Sequence, residues 1–153
     1  MKYTIEPVPS SGTRSVRFQV LWPHRADEAA CTIDIDDLPS ALHLAALDEN
    51  GRPLGVLSLF NQRSDRFPDA IPADQPVYRL RAMGVLPAYR RLGVGEALVE
   101  AACDVVRQKG AVYLWCDARK VALPFYEALG FKYLSGVYEI PIIGPHRMMA
   151  RRL

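Results

Sequence analysis

The stretch with the plainest chemical use is Arg90-Arg91-Leu92-Gly93-Val94-Gly95. It follows a strand-like stretch from Val77 to Val85 and precedes a segment of helical periodicity, so its glycines stand where a strand turns into a helix. Glycines at that point let the backbone approach an anion closely. The first-turn amides have no partner inside the helix, and the helix dipole adds about 0.3–1 kcal/mol of favourable field. Arg90 and Arg91 add positive charge, so a diphosphate group fits the turn. Two other phosphate motifs fit less well. No Gly-Lys-Ser/Thr ending marks a nucleoside triphosphate loop, and the dinucleotide pattern would want a small residue where Leu98 stands. The same glycines also suit a helix entry that binds nothing.

Arg79 and Arg81 share one face of the Val77–Val85 run by strand alternation. They could line a cleft for a substrate bearing a carboxylate or phosphate, or form a solvated sheet edge. Cys31, Cys103 and Cys116 are odd in number and lack CxxC spacing, which speaks against a disulfide framework and a structural zinc site. Buried reduced thiols are expected, and no metal site. Cys116 could be imagined as a nucleophile, but no motif sets a base beside it.

The bulk properties bound the partners. A chain of 153 residues, 50% hydrophobic and with a formal net charge of +2, fits one packed domain, residues 1–153. That charge is too weak to select nucleic acid or a membrane surface. The longest apolar runs are too short to span a bilayer, and the first residues do not read as an export signal, so a cytoplasmic setting is expected.

The elements that must position these residues read as follows. Lys2 to Val8 alternates like a short strand, and a helix is expected from about Thr13 to Leu21. Leu42–Leu47 and Leu54–Phe60 flank the turn residues Asp48-Glu49-Asn50-Gly51 and form a hairpin. Residues 61–76, with three prolines, form a long surface loop, a candidate binding or lid segment. Val77 to Val85 is a strand closed by Pro87, and the helix after the glycines runs to about Lys109, with Gly110 at its end. Ala111–Cys116 is a strand and Val121–Leu129 a helix. Phe131–Leu134, Tyr138–Ile143 and Arg147–Arg152 supply the last strands, broken at Gly136 and at Gly144-Pro145. The order indicates a mixed α/β sheet.

Two segments carry a family resemblance. Met83 to Leu98, with Arg90-Arg91-Leu92-Gly93-Val94-Gly95 at its centre, resembles the acetyl-CoA-binding motif of the GNAT N-acetyltransferase superfamily. Ala122-Leu123-Pro124-Phe125-Tyr126-Glu127-Ala128-Leu129-Gly130-Phe131 resembles that family's next motif. The resemblance implies an α/β (α+β) fold: a mostly antiparallel sheet of six to seven strands, splayed at the cofactor, with helices on both faces. It implies transfer of an acetyl group from acetyl-CoA to a primary amine of a small molecule or protein. The alternative is a non-catalytic module that binds or senses CoA. A homodimer is possible through the final strands.

Residue by residue, the resemblance gives backbone groups of Met83, Gly84 and Val85 to the pantetheine arm. Amides of Arg91, Leu92, Gly93, Val94, Gly95 and Glu96 would surround the pyrophosphate, with Arg90 beside them. It sets the Tyr126 hydroxyl next to the sulfur, as a proton donor to the departing thiolate. Arg119 stands where the family often has asparagine, and it or Lys120 could reach the phosphates. An alkyl ammonium with a pKa of about 10.4 needs about 4.6 kcal/mol to present a free amine at neutral pH, so a base is wanted. The Val77–Val85 strand offers no carboxylate for it. His146, in the segment that edges the acceptor site in the family, is the first candidate and His43 the second.

Overall fold

A computed structural model describes residues 2–153, which divide into two compact units. The first holds residues 2–60 and 80–104, and the second 61–79 and 105–153. Strand β4 (Val77–Val85) and helix α2 (Val94–Gln108) each run from one unit into the other.

In the first unit β1 (Tyr3–Pro7), β2 (Leu42–Asp48) and β3 (Pro53–Phe60) form an antiparallel meander, followed in hydrogen-bonding order by β4. The β2–β3 turn is held by Asp48, whose side chain accepts from the amides of Asn50 and Arg52. One sheet face buries Ala45 and Val56 against Val16 of α1 (Arg14–Val16). On the opposite face a Cβ at Gly55 would lie 3.1 Å from Leu98 of α2, so helices cover both sides. The expected helix over Thr13–Leu21 is present, but its second half, Arg17–Leu21, is a π-helix. The widened turn begins at Arg17, whose side chain is fully buried in an ion pair with Asp36.

The second unit is built on β5 (Tyr113–Arg119). Its first three residues pair in parallel with Val77–Arg79 of β4, and its whole length pairs antiparallel with β8 (Gly144–Arg152). The parallel ladder stops at Arg79 and Trp115. Helix α3 (Leu123–Ala128) precedes β6 (Lys132–Tyr133) and β7 (Tyr138–Ile140), both of which pair with β8. One face of β5 buries Trp115 with Ile71, Val77, Met148 and Ala150.

Among the described residues the sheet has eight strands, as many as the segments read from the sequence, where the resemblance implied six to seven. Several boundaries also moved, among them the end of β7, which lies at Ile140 instead of Ile143. β5 runs on to Arg119 instead of ending at Cys116, and β8 begins at Gly144-Pro145, where a break was expected. Pro145 is tolerated because it lies opposite Glu139 of β7, ahead of the first β5 pair at His146.

Candidate functional site

The glycine turn lies in the first unit. β4 carries an irregularity at Ala82, which adopts φ 52°, a conformation that interrupts the pleat and re-aims the residues after it. Met83 and Val85 are half-buried, and Gly84 is buried because a Cβ there would stand 3.1 Å from Val20. After the short turn at Pro87–Tyr89, Arg91 sits at φ 61° and Gly93 at φ 83°. Arg90, Arg91, Leu92 and Gly93 are exposed, while Val94 is buried and pegs the helix start. The amide of Ala97 donates to the Gly93 carbonyl, so the amides of Val94, Gly95 and Glu96 lie ahead of it in the orphan first turn of α2. Arg90 is partly committed: its Nε donates to the Val85 carbonyl at 3.0 Å, tying the turn to the end of β4.

Tyr126, on α3 in the second unit, is buried and packs edge-on against Phe125 and Phe131. Burial pushes its phenol well above the ordinary tyrosine range, and Cys116 of β5 adds to this, so the hydroxyl stays protonated near neutral pH. Burial also pushes the Cys116 thiol far up, with Asp117 adding and Arg79 opposing. A thiol kept neutral in this way is a poor nucleophile. All three cysteines are buried and free.

The opposite face of β5 carries a second group of side chains. Arg79 donates to Asp117 at 2.8 Å and to the Gln62 side-chain carbonyl at 2.9 Å, with its guanidinium 4.8 Å above the Trp115 ring. The other Asp117 oxygen accepts a hydrogen bond from the Tyr138 hydroxyl. Burial first, and then this bond, raise the Tyr138 phenol beyond the usual range, so it too keeps its proton. The Tyr138 ring stacks on His146, centroids 6.1 Å apart and planes 26° apart. His146 is buried, and its Nδ1 lies 2.8 Å from the Gly144 carbonyl. A carbonyl only accepts, so Nδ1 carries the hydrogen and Nε2 is the basic nitrogen of the neutral ring.

Tyr126 and His146 thus lie on opposite faces of the β5–β8 ladder. Arg119, exposed at the end of β5, stands opposite His146 in register. His43, the second base candidate, belongs to a sealed network in the first unit. Its Nε2 lies 2.9 Å from the Asp36 carbonyl and its Nδ1 2.7 Å from Ser58 Oγ. Ser58 in turn accepts from Arg17 at 2.9 Å. With both ring nitrogens engaged, His43 has none left for a substrate. Arg79 is likewise engaged, its partner being a carboxylate of the chain, and Arg81 lies 6.0 Å over the Phe60 ring. Asp117 and Tyr138 went unnoticed in the sequence. Alternation with Trp115 would have put Asp117 on the Arg79 face, had β5 been carried past Cys116.

Among the described residues no group of three His, Cys, Asp or Glu could hold a metal ion, and no helix is long and apolar enough to cross a membrane.

Residues 13–131 match the model of the acetyltransferase (GNAT) family. Over 149 residues the chain is 28% identical to the uncharacterised N-acetyltransferase YitI of Bacillus subtilis, an overlap of 97% of this chain and 95% of that one. It is 35% identical over 82 residues to glucosamine 6-phosphate N-acetyltransferase of Trypanosoma brucei brucei, covering 54% of this chain and 52% of that protein. Among solved structures, Escherichia coli ElaA superposes with a TM-score of 0.74 at 18% identity, covering 99% of this chain and 100% of that one. An aminoglycoside 6'-N-acetyltransferase complexed with coenzyme A gives a TM-score of 0.74 at 16% identity, covering 97% and 96%. The chain belongs to the acetyltransferase (GNAT) family and is an acyl-CoA-dependent N-acetyltransferase.

Proposed function

We propose that the chain moves an acetyl group from acetyl-CoA directly to a primary amine of a small molecule or protein, with Tyr126 as acid and His146 as base. The observation that carries this reading is the pair of faces of β5: a protonated phenol on one and an imidazole with a defined basic nitrogen on the other. The exposed turn fits the donor's diphosphate. At Gly93 a Cβ would meet nothing within 4 Å, and the first-turn amides of α2 are unspent by the helix. Arg91, Leu92, Gly93, Val94, Gly95 and Glu96 would hold the diphosphate. Met83, Gly84 and Val85 would hold the pantetheine arm through their backbone groups. Arg90 and the exposed Arg119 would add charge toward the phosphates.

The amine enters as an ammonium and leaves as an amide, so it sheds two protons. His146 takes the first, which frees the nitrogen lone pair. As the new C–N bond forms and the C–S bond breaks, Tyr126 protonates the sulfur. The phenolate then regains a proton from those the nitrogen gave up, and one proton reaches solvent. Cys116, neutral and buried, takes no acetyl group in this scheme. Three free, buried cysteines suit a reducing compartment, and we assign the chain to the cytoplasm.

The test is thiol release from acetyl-CoA over a panel of primary amines. Tyr126→Phe should lower kcat by about 100-fold or more and leave donor affinity within about twofold. Unchanged turnover would remove Tyr126 from the acid role.

A further inference from the structure

Arg66 lies in the 61–76 loop and is exposed, yet its guanidinium is held 4.5 Å over the Tyr138 ring. The same face repeats the arrangement at Trp115, where Arg79 sits 4.8 Å over the indole. The two cations differ in how they are fixed. Arg79 is locked by Asp117 and Gln62, whereas Arg66 rests on the ring. An aromatic face attracts a cation through its quadrupole, and more so where a carboxylate lies at the ring's polar end, as Asp117 does here. Asp117 and Arg79 balance each other in charge, so a cation that replaces Arg66 leaves the local charge unchanged.

We infer that Tyr138 and Asp117 form the recognition site for the acceptor's ammonium group, and that Arg66 is a resident stand-in which the acceptor displaces. The acceptor class is then an alkyl ammonium, docked as the cation on the Tyr138 ring. His146 lies against that ring, stacked on it. The cation and His146 thus share the Tyr138 ring as a partner, and the inference rests on the reading above, in which His146 takes the acceptor's proton. Arg66 competes with the acceptor, and the loop that carries it sets how strongly. Asp117 acts as a positioning residue, since it fixes the Tyr138 hydroxyl and with it the tilt of the ring.

The experiment is an NMR titration of the Tyr138 and His146 ring resonances, with n-butylammonium chloride against butan-1-ol at constant ionic strength. The ammonium should bind at least about 10-fold more tightly than the alcohol, the ratio expected of a partly desolvated cation–ring contact. Arg66→Ala should tighten the ammonium by about threefold or more, since the competitor is gone, and leave the alcohol unchanged. Asp117→Asn should shrink the preference for the cation. Equal affinities in the wild type, or an Arg66→Ala variant that binds the ammonium no better, would overturn the site. Calorimetry with CoA on the same sample separates the two readings. Heat from CoA without an ammonium preference sinks the cation site alone. The preference without heat from CoA sinks acetyl transfer alone.

Discussion

Each of the two units holds an arginine–aspartate pair with a hydroxyl and a histidine, and the two groups are used differently. In the first, Arg17, Asp36, Ser58 and His43 form a chain of hydrogen bonds in which the ion pair is 0% and 4% exposed. In the second, Arg79, Asp117, Tyr138 and His146 also join an arginine, an aspartate, a hydroxyl and a histidine, with the ion pair 21% and 16% exposed. The difference lies in what is left over. In the first network His43 has both nitrogens engaged, and Asp36 accepts from two guanidinium nitrogens and the Ile33 amide. In the second, the imidazole has one nitrogen committed to a carbonyl and one basic nitrogen to offer. Residue type thus says little about role, and the partner count on each polar atom says much.

The largest break in that comparison should come from the sealed pair. Asp36→Ala leaves a buried guanidinium uncompensated and should lower unfolding free energy by about 3–5 kcal/mol, measured by urea titration. The second pair is partly exposed, so Asp117→Ala, which removes the acceptor of both Arg79 and Tyr138, should cost less, about 1–3 kcal/mol. Equal losses would erase the distinction between the networks. A smaller effect is set by pH. Burial alone would raise the Asp36 carboxyl, but the Arg17 guanidinium and the Ile33 amide outweigh it and hold the group below the ordinary carboxylate range. A depressed folded-state pKa gives stability that is present above the unfolded value of about 3.9 and lost as pH falls through the folded value. The urea midpoint should therefore drop as pH is lowered below about 4, and more steeply in the wild type than in Asp36→Asn. The smallest effect belongs to the glycine turn. Gly93→Ala puts a side chain at φ 83° with nothing in its way, so only backbone strain of about 1 kcal/mol is added. It should weaken CoA in calorimetry and leave the Tyr138 and His146 resonances in place.

Much of this was legible in the sequence because local signals agree there. β4 has the bounds that Val77 to Val85 suggested, set off by Pro76 and Pro87, and α2 follows its apolar spacing to within a residue at Gln108. The glycine turn was legible for the same reason, since strand, glycines and helix meet at one place. What escaped depends on pairing between distant segments. Asp117, Ala118 and Arg119 look like the polar end of a strand, and only β8 extends the ladder to the Arg119–His146 pair. Without that extension neither the Asp117 face nor its meeting with Tyr138, 21 residues away, could be foreseen. Arg17 reads as the polar face of a short helix, and its burial rests on Asp36, 19 residues on, in an irregular segment. No periodicity announces such a partner.

We propose that His146 is the base for the acceptor, through the ring nitrogen that the Gly144 carbonyl leaves uncommitted. The direct measurement is the pH dependence of kcat/KM for the amine at saturating acetyl-CoA, in the wild type and in His146→Gln. The wild type should show a limb that rises with pH, and the variant should lose that limb while still binding CoA. A variant that keeps the ascending limb would contradict the account.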